Sequence, residues 1–500
     1  MYCAPDCTIV DKCTPGTCTN GQAGYFPGPY QFNYCPNDPS SDVARSAVLG
    51  TFRALSVKLV HRETEHPCGA ARVFSLAVGG FASISTEGDS MSLRLASLVA
   101  VLASACTLNE SGNVSSTKTG DTSHPAERRS PLTEVRAACG GAGEVTDYGA
   151  TVLQRAPYLQ QVTGQSAIVG WVTSQPERAM VELGPVGGQV AKTAASVDTV
   201  QVRTAGEHQM WTAVEALQPG TIYCYSLADA RGEITSPTGF RSAPAADSPE
   251  PVRFLAFGDS GSGTSDQYAL AQQMYTVPFD MMLHTGDIAY DNGSISQYED
   301  NVFGVYADFF RNIPFFPSAG NHDYQTLQGA PFRDVFNLPG QEKWYSYDYG
   351  RVHFAALDTE SSYAEQARWL DEDLAATTLP WKIVYMHRPP YSSGNHGSDT
   401  SLRAALAPIL ERHGVQLVLA GHDHDYERTK SINGTTYVVT GGGGRGTYKV
   451  DSSSFTELSV AVIHFVYGEV TEHEMVLHAI DGTGREFDSV VIPAIAARTE

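Results

Sequence analysis

Residues Met281–Gly293 read MMLHTGDIAYDNG: a largely apolar run that stops at Gly286-Asp287, with Tyr290 three residues further on. A short apolar run without polar alternation reads as a strand buried on both faces. Polar residues directly after such a strand stand where open α/β sheets collect their ligand chemistry. The same form recurs through the second half of the chain. VRFLAFGD (252–259) ends in Asp259, IPFFPSAGNHD (313–323) in Asn321 and His322, WKIVYMHRPP (381–390) in His387, and VQLVLAGHDHD (415–425) in His422 and His424. Between these runs, DQYALAQQMY, SQYEDNVFGVYADFFRN, AEQARWLDEDLAA and TSLRAALAPILERH carry helical spacing. Strands alternating with helices predict an α/β domain over 252–495.

The region 151–247 has a different texture. SAIVGWVT (166–173), AMVELGP (179–185), HQMWTAVEAL (208–217) and TIYCYSLAD (221–229) are short β-rich runs separated by Gly, Pro and Gln turns. Their spacing predicts a small antiparallel sandwich with Trp171 and Tyr223 in its core. Within it, VEALQPGTIYCYSLAD resembles the fibronectin type III pattern, in which a Leu-x-Pro-Gly turn feeds an aromatic-rich strand. The linker SAPAADSPEP (242–251) separates the two domains.

The front of the chain is read apart from both. Residues 1–90 lack sustained periodicity; their cysteines allow a small disulfide or zinc knot, and the preferred reading leaves the stretch out of the mature protein. MSLRLASLVAVLASAC (91–106) has a basic start, a short apolar core and small residues before a cysteine, the layout of an export signal. Its ending LASAC resembles a lipoprotein signal, which implies membrane attachment through a lipidated Cys106 and an extracytoplasmic location. Residues 107–150 read as a flexible polar tether. Removal of the front leaves Cys139 and Cys224 as the remaining pair, which sequence alone neither joins nor separates.

The formal net charge of -22 argues against nucleic acid as a partner. No cysteine follows Cys224, so a metal held by the second half takes nitrogen and oxygen donors only. Asp259, Asp287, Tyr290, Asn321, His387, His422 and His424 supply both. The ordered set Gly-Asp-x-Gly, Gly-Asp-x-x-Tyr, Gly-Asn-His-Asp, Val-x-x-His and Gly-His-x-His resembles the purple acid phosphatases of the calcineurin-like metallophosphoesterase superfamily. The flanks WYSYDYGRVHFAALDTE, QARWLDEDL, GHDHDYERT and VTGGGGRG are similar to the longer plant-type members, which carry a fibronectin-like domain in front.

The resemblance implies a metallophosphoesterase α/β fold, a β-sandwich flanked by helices, and a site for two metal ions. Asp287 bridges them; Asp259, Tyr290 and His424 complete one site, and Asn321, His387 and His422 the other. A phenolate is a hard anionic donor and suits iron(III) at the Tyr290 site, with Zn, Mn or Fe(II) at the second. Two such ions outweigh the ligand charges, so a phosphate is attracted locally by an otherwise acidic protein. The implied reaction is hydrolysis of small phosphate monoesters by in-line attack of a metal-bound hydroxide. His322 is the candidate proton donor to the leaving group, with His396 as the second candidate. A phosphodiesterase or nucleotide pyrophosphatase on the same metals, and a surface-anchored binding protein with an inert second domain, stay open.

Overall fold

The computed structural model describes residues 130–176, 180–198 and 205–494. The expectations for residues 1–90, for the export segment 91–106 with its Cys106, and for most of the tether lie outside them.

The front domain is built from two antiparallel sheets. One orders Leu153–Gln160, Ser166–Thr173, His208–Glu215 and Ser196–Asp198; the other orders Ala191–Ala194, Met180–Pro185 and Ile222–Asp229, with Gly232–Glu233 and Thr238–Arg241 both on the last of these. Their facing side chains, among them Val169, Trp171 and Met210 from one and Val181, Tyr223 and Leu227 from the other, form one buried cluster. The tether expectation for 107–150 is corrected over its described end. Thr133–Cys139 is a helix that buries Val135, closes on Gly140 in the left-handed conformation (φ 75°) and is joined by a Cys139–Cys224 disulfide to the second sheet. The polar composition around it hides this helix, which is held by a covalent link and by Arg136 binding Asp308 at 2.7 Å.

The second domain is two mixed sheets packed face to face. In the first, Phe315–Ser318, Met281–Thr285 and Val252–Phe257 run parallel, followed by the antiparallel His464–Val470, Glu474–Asp481 and Glu486–Pro493. Pro317 cannot donate to a ladder, and its strand lies at the edge of the sheet, where none is needed. In the second sheet Val352–Ala356, Trp381–Met386, Leu417–Ala420 and Thr436–Thr440 run parallel; Tyr345–Tyr349, Tyr426–Thr429 and Thr456–Val460 complete it. All five residues of Met281–Thr285 are buried, as a strand covered on both faces requires. Between the sheets Phe254 meets Phe354 edge to face and Phe316 stacks on Tyr347 at 4.0 Å.

Helices cover the outer faces. Ser265–Met274 and Gly304–Phe310 lie on the first sheet, Tyr363–Ala376 and Thr400–Arg412 on the second. Thr264, Ser362 and Asp399 cap three of these helices by accepting from the third backbone N–H beyond, each cap worth about 1 kcal/mol. The run SQYEDNVFGVYADFFRN is not one helix: Tyr298–Phe303 is a π-helical turn between Ile295–Gln297 and Gly304–Phe310. That widened turn presents Glu299 to the front domain. Arg155 binds it through two nitrogens (2.5 and 3.1 Å), with the guanidinium 4.1 Å above the Phe303 ring and Gln209 accepting from its remaining arm at 2.9 Å.

Candidate metal centre

Three parallel strands of the first sheet and two of the second end on the same side, and each carries candidate donors just past its last residue. Asp259 follows Val252–Phe257, Asp287 follows Met281–Thr285, and Asn321 follows Phe315–Ser318; His387 follows Trp381–Met386, and His422 and His424 follow Leu417–Ala420. The chain turns sharply at each. Asp259, Asp287 and His422 have φ of 58°, 52° and 71°, a left-handed conformation that costs a non-glycine residue energy and concentrates at functional sites. Gly286 (φ 90°) has no room for a side chain, since a Cβ there would stand 2.7 Å from the His387 ring. A Cβ at Gly320 would stand 2.2 Å from Asp287 Oδ1. These two glycines let the donor loops touch.

The seven candidate ligands come together in two groups that share Asp287. In the first, the Tyr290 phenol oxygen lies 3.0 Å from Asp259 Oδ1, 3.0 Å from Asp287 Oδ2 and 3.2 Å from His424 Nε2. In the second, His387 Nε2 lies 3.1 Å from Asn321 Oδ1, 3.1 Å from His422 Nδ1 and 3.4 Å from Asp287 Oδ2. One donor atom each from Asp287, His387 and His422 falls within 4.8 Å of the others. Carboxylate, phenol, amide and imidazole donors without thiols fit hard or borderline ions.

Crowded together and buried, these donors shift one another's protonation. Burial favours the neutral phenol of Tyr290, and the Asp259 and Asp287 carboxylates push its pKa further up, so it donates to them. Burial works against charge on His387, but the Asp287 carboxylate outweighs it and raises the imidazole to about 10. Burial, with His387, His396 and Arg388 beside it, lowers His422 to about 2.

His322 and His396 both reach the rim, in different ways. His322 Nδ1 donates to the Asp291 carbonyl at 2.6 Å, which aims Nε2 at Asp287 Oδ2, 3.9 Å away; about a third of its side chain is exposed. His396 is exposed, held by its backbone N–H on Asp423 at 2.6 Å, with its ring 4.2 Å from that of His422. His284 is buried and takes no place among the donors. It bonds the Ser260 hydroxyl at 2.9 Å and packs edge-on to Phe257.

Sequence reasoning assigned no role to four further residues. Asp323, fully buried, accepts the backbone N–H groups of Ile288, Ala289 and Gly320 and so ties the Asp287 loop to the Asn321 loop. Arg388 lies 3.4 Å from His422 Nε2 and is held by both oxygens of Glu360. Tyr448 stacks on His424 at 4.1 Å. Arg445 lies over the Tyr290 ring, 4.9 Å from its centre. The signal for Asp323 stood within the quoted GNHD and that for Arg445 within VTGGGGRG.

Residues 252–426 match the calcineurin-like phosphoesterase family, so the second domain is a calcineurin-like metallophosphoesterase domain, a fold that implies a dinuclear metal site. Its homologues carry the names of purple acid phosphatases. "Probable inactive purple acid phosphatase 1" of Arabidopsis thaliana is 26% identical over 350 residues, covering 56% of this chain and 56% of its own. The "Nucleotide pyrophosphatase/phosphodiesterase" of Hordeum vulgare is 27% identical over 287 residues, 44% of this chain and 78% of its own. Among solved structures, the purple acid phosphatase PPD1 from yellow lupin (Lupinus luteus) seeds superposes with a TM-score of 0.61 at 23% identity, over 67% of this chain and 74% of that one. The chain spans about half the length of the curated relatives it first matches.

Proposed function

We propose that this chain is an exported binuclear metallophosphatase that hydrolyses phosphate monoesters, with a fibronectin type III-like domain over 151–247 in front of a catalytic domain over 252–495. The observation that carries the reading is the convergence of two donor groups on the shared carboxylate of Asp287. Asp259, Tyr290 and His424 would hold one ion with it, and Asn321, His387 and His422 the other. When bound, the ions supply Lewis acidity toward phosphoryl oxygens and make water a better nucleophile near neutral pH.

The protein's own part is positioning and proton transfer. The Asn321 and His422 donors flank the place where a phosphoryl group would lie, and Arg388 beside His422 adds a fixed positive charge. Because His322 Nδ1 is engaged by a carbonyl, its Nε2 is the atom free to exchange a proton at the mouth, and as an imidazolium it would donate to the leaving oxygen. His396, over His422, stands where a second donor or a hydrogen bond to the ester oxygen would come from.

A second reading keeps the metal site and changes the leaving group to a nucleotide, as the name of the barley relative suggests. Some relatives are named inactive, which keeps a binding role in contention. The complete donor set favours catalysis, since a domain without chemistry has no need of these strained turns. Export rests on residues 91–106; among the described residues no helix is long and apolar enough to cross a membrane. The test is hydrolysis of nitrophenyl phosphate against bis-nitrophenyl phosphate across pH, with metal analysis of the same preparation. Two metals per chain and a monoester preference support the proposal. A diester preference moves it to the second reading, and a metal-loaded chain that turns over neither is a binding protein.

A further inference from the structure

Arg445 stands apart from the other charged groups around the centre. Its backbone is fixed to the donor loops: its N–H donates to the Asp259 carbonyl at 3.1 Å, and three residues on, the Tyr448 N–H donates to the His424 carbonyl at 3.0 Å. The side chain crosses the ring of Tyr290 at 4.9 Å and ends at the rim, where Nη2 meets Asp291 Oδ1 at 2.7 Å. The guanidinium therefore lies over the Tyr290 ring and shares Asp291 with His322, whose Nδ1 donates to the Asp291 carbonyl at 2.6 Å.

Its counter-charge is weakly held. The side chains of Arg445 and Asp291 are 40% and 75% exposed, and an ion pair so exposed is screened by water and contributes little. Arg388 differs, being gripped by both oxygens of Glu360 with side chains 31% and 17% exposed. A phosphate can displace a single exposed carboxylate, because a guanidinium binds it through two parallel charge-assisted hydrogen bonds. A chain of net charge -22 repels a polyanion from most of its surface, so a local cation at the mouth decides whether one enters.

We propose that Arg445 binds a second phosphate on the leaving side of the substrate, which makes phosphoanhydrides and esters of phosphorylated leaving groups the preferred class. The inference rests on the phosphatase reading above and names its substrates. In the reaction, the oxygen of water bonds to the reacting phosphorus as the bond from that phosphorus to the bridging oxygen breaks. The bond's electron pair stays on the bridging oxygen, which leaves on the second phosphate, and a proton of the water passes to that phosphate or to solvent. Exposed Asp291 is the group that the second phosphate displaces.

The test compares wild type, Arg445→Met and Asp291→Asn, each metal-loaded. Calorimetry measures binding of methylenediphosphonate, which cannot be hydrolysed, and of orthophosphate; kinetics compares pyrophosphate with nitrophenyl phosphate. Arg445→Met is expected to weaken methylenediphosphonate at least tenfold more than orthophosphate, and to lower kcat/KM for pyrophosphate at least tenfold more than for nitrophenyl phosphate. Asp291→Asn is expected to shift both ratios the other way. Equal losses on both ligands would mean that Arg445 touches the reacting phosphate, and no loss on either that it touches neither; both overturn the inference while leaving the phosphatase reading standing. A wild type that binds orthophosphate but hydrolyses no ester would overturn that reading itself.

Discussion

The phenol of Tyr298 donates to Asp323 Oδ1 at 2.7 Å, and both side chains are fully buried. Through that bond the π-helical turn at the domain boundary reaches the carboxylate on which two donor loops hang. Asp323→Asn keeps the shape but turns amide hydrogens toward backbone N–H groups. It is expected to weaken metal binding about 10–100-fold, the usual cost of losing a partner behind the ligands. Chelator competition monitored by metal content measures it; Tyr298→Phe, which leaves the carboxylate in place, should cost less.

Tyr290 carries the proposed iron(III) assignment. Tyr290→Phe removes the only phenol among the donors while leaving the ring on which Arg445 rests. It is expected to lose the ion bound with Asp259 and His424, together with any visible iron–phenolate absorption. Metal analysis and an absorption spectrum are the readouts; full iron retention with unchanged colour would remove Tyr290 from the ligand set.

His322 is tested by leaving group. If its imidazolium protonates the departing oxygen, His322→Ala should cost about 10²–10⁴ in kcat on an alkyl phosphate. The loss should be much smaller on nitrophenyl phosphate, whose leaving group departs without help. Equal losses on the two substrates would exclude protonation of the leaving group and limit the side chain to bracing the rim through the Asp291 carbonyl.

Arg155 and Glu299 have side chains only 3% and 11% exposed. Removing one member leaves a buried charge alone, which costs roughly 3–5 kcal/mol, whereas replacing both with apolar residues of similar size costs far less. Arg155→Met and Glu299→Leu, singly and together, are the variants. Denaturant melts should show two destabilised single variants and a double variant closer to wild type.

A pH dependence of stability is expected from His353, which lies between Asp348 and Asp373 at 2.7 and 2.8 Å. Burial lowers its pKa, but the bonds to both carboxylates outweigh this and raise it from 6.5 to about 9. A raised folded pKa means that the stabilisation is complete below 6.5 and is lost as pH rises through about 9. The fall in Tm between those values should be larger for wild type than for His353→Gln. Equal slopes would show that the histidine is not the group responsible.

The strand ends were legible because each donor follows an apolar run, and parallel strands carry their carboxyl ends to one side. The grouping of Tyr290 with His424, 134 positions apart, needed the order of strands across two sheets as well as their spacing. Other features left weaker traces. Glu299 sits in a run whose apolar spacing reads as a plain helix, and nothing local reports that Arg155, 144 positions earlier, pulls on it. The helix Thr133–Cys139 is short and flanked by polar residues, so its order depends on partners outside the segment. Asp323 was visible as a residue but not as a hinge, because most of its partners are backbone N–H groups that carry no sequence identity.

Asp259, Asp287 and Asn321 come from one sheet, His387, His422 and His424 from the other. Neither half of the domain owns a complete centre. On the proposed ligand assignment, metal occupancy would be a census of molecules whose sheets have docked in register, and misassembled chains would count as empty. The ions would also reward correct docking: free metal at 100 times its dissociation constant would add about 2.7 kcal/mol to the assembled state. In a cell compartment poor in metal, the same arrangement would make supply of the ion a checkpoint on the survival of the fold.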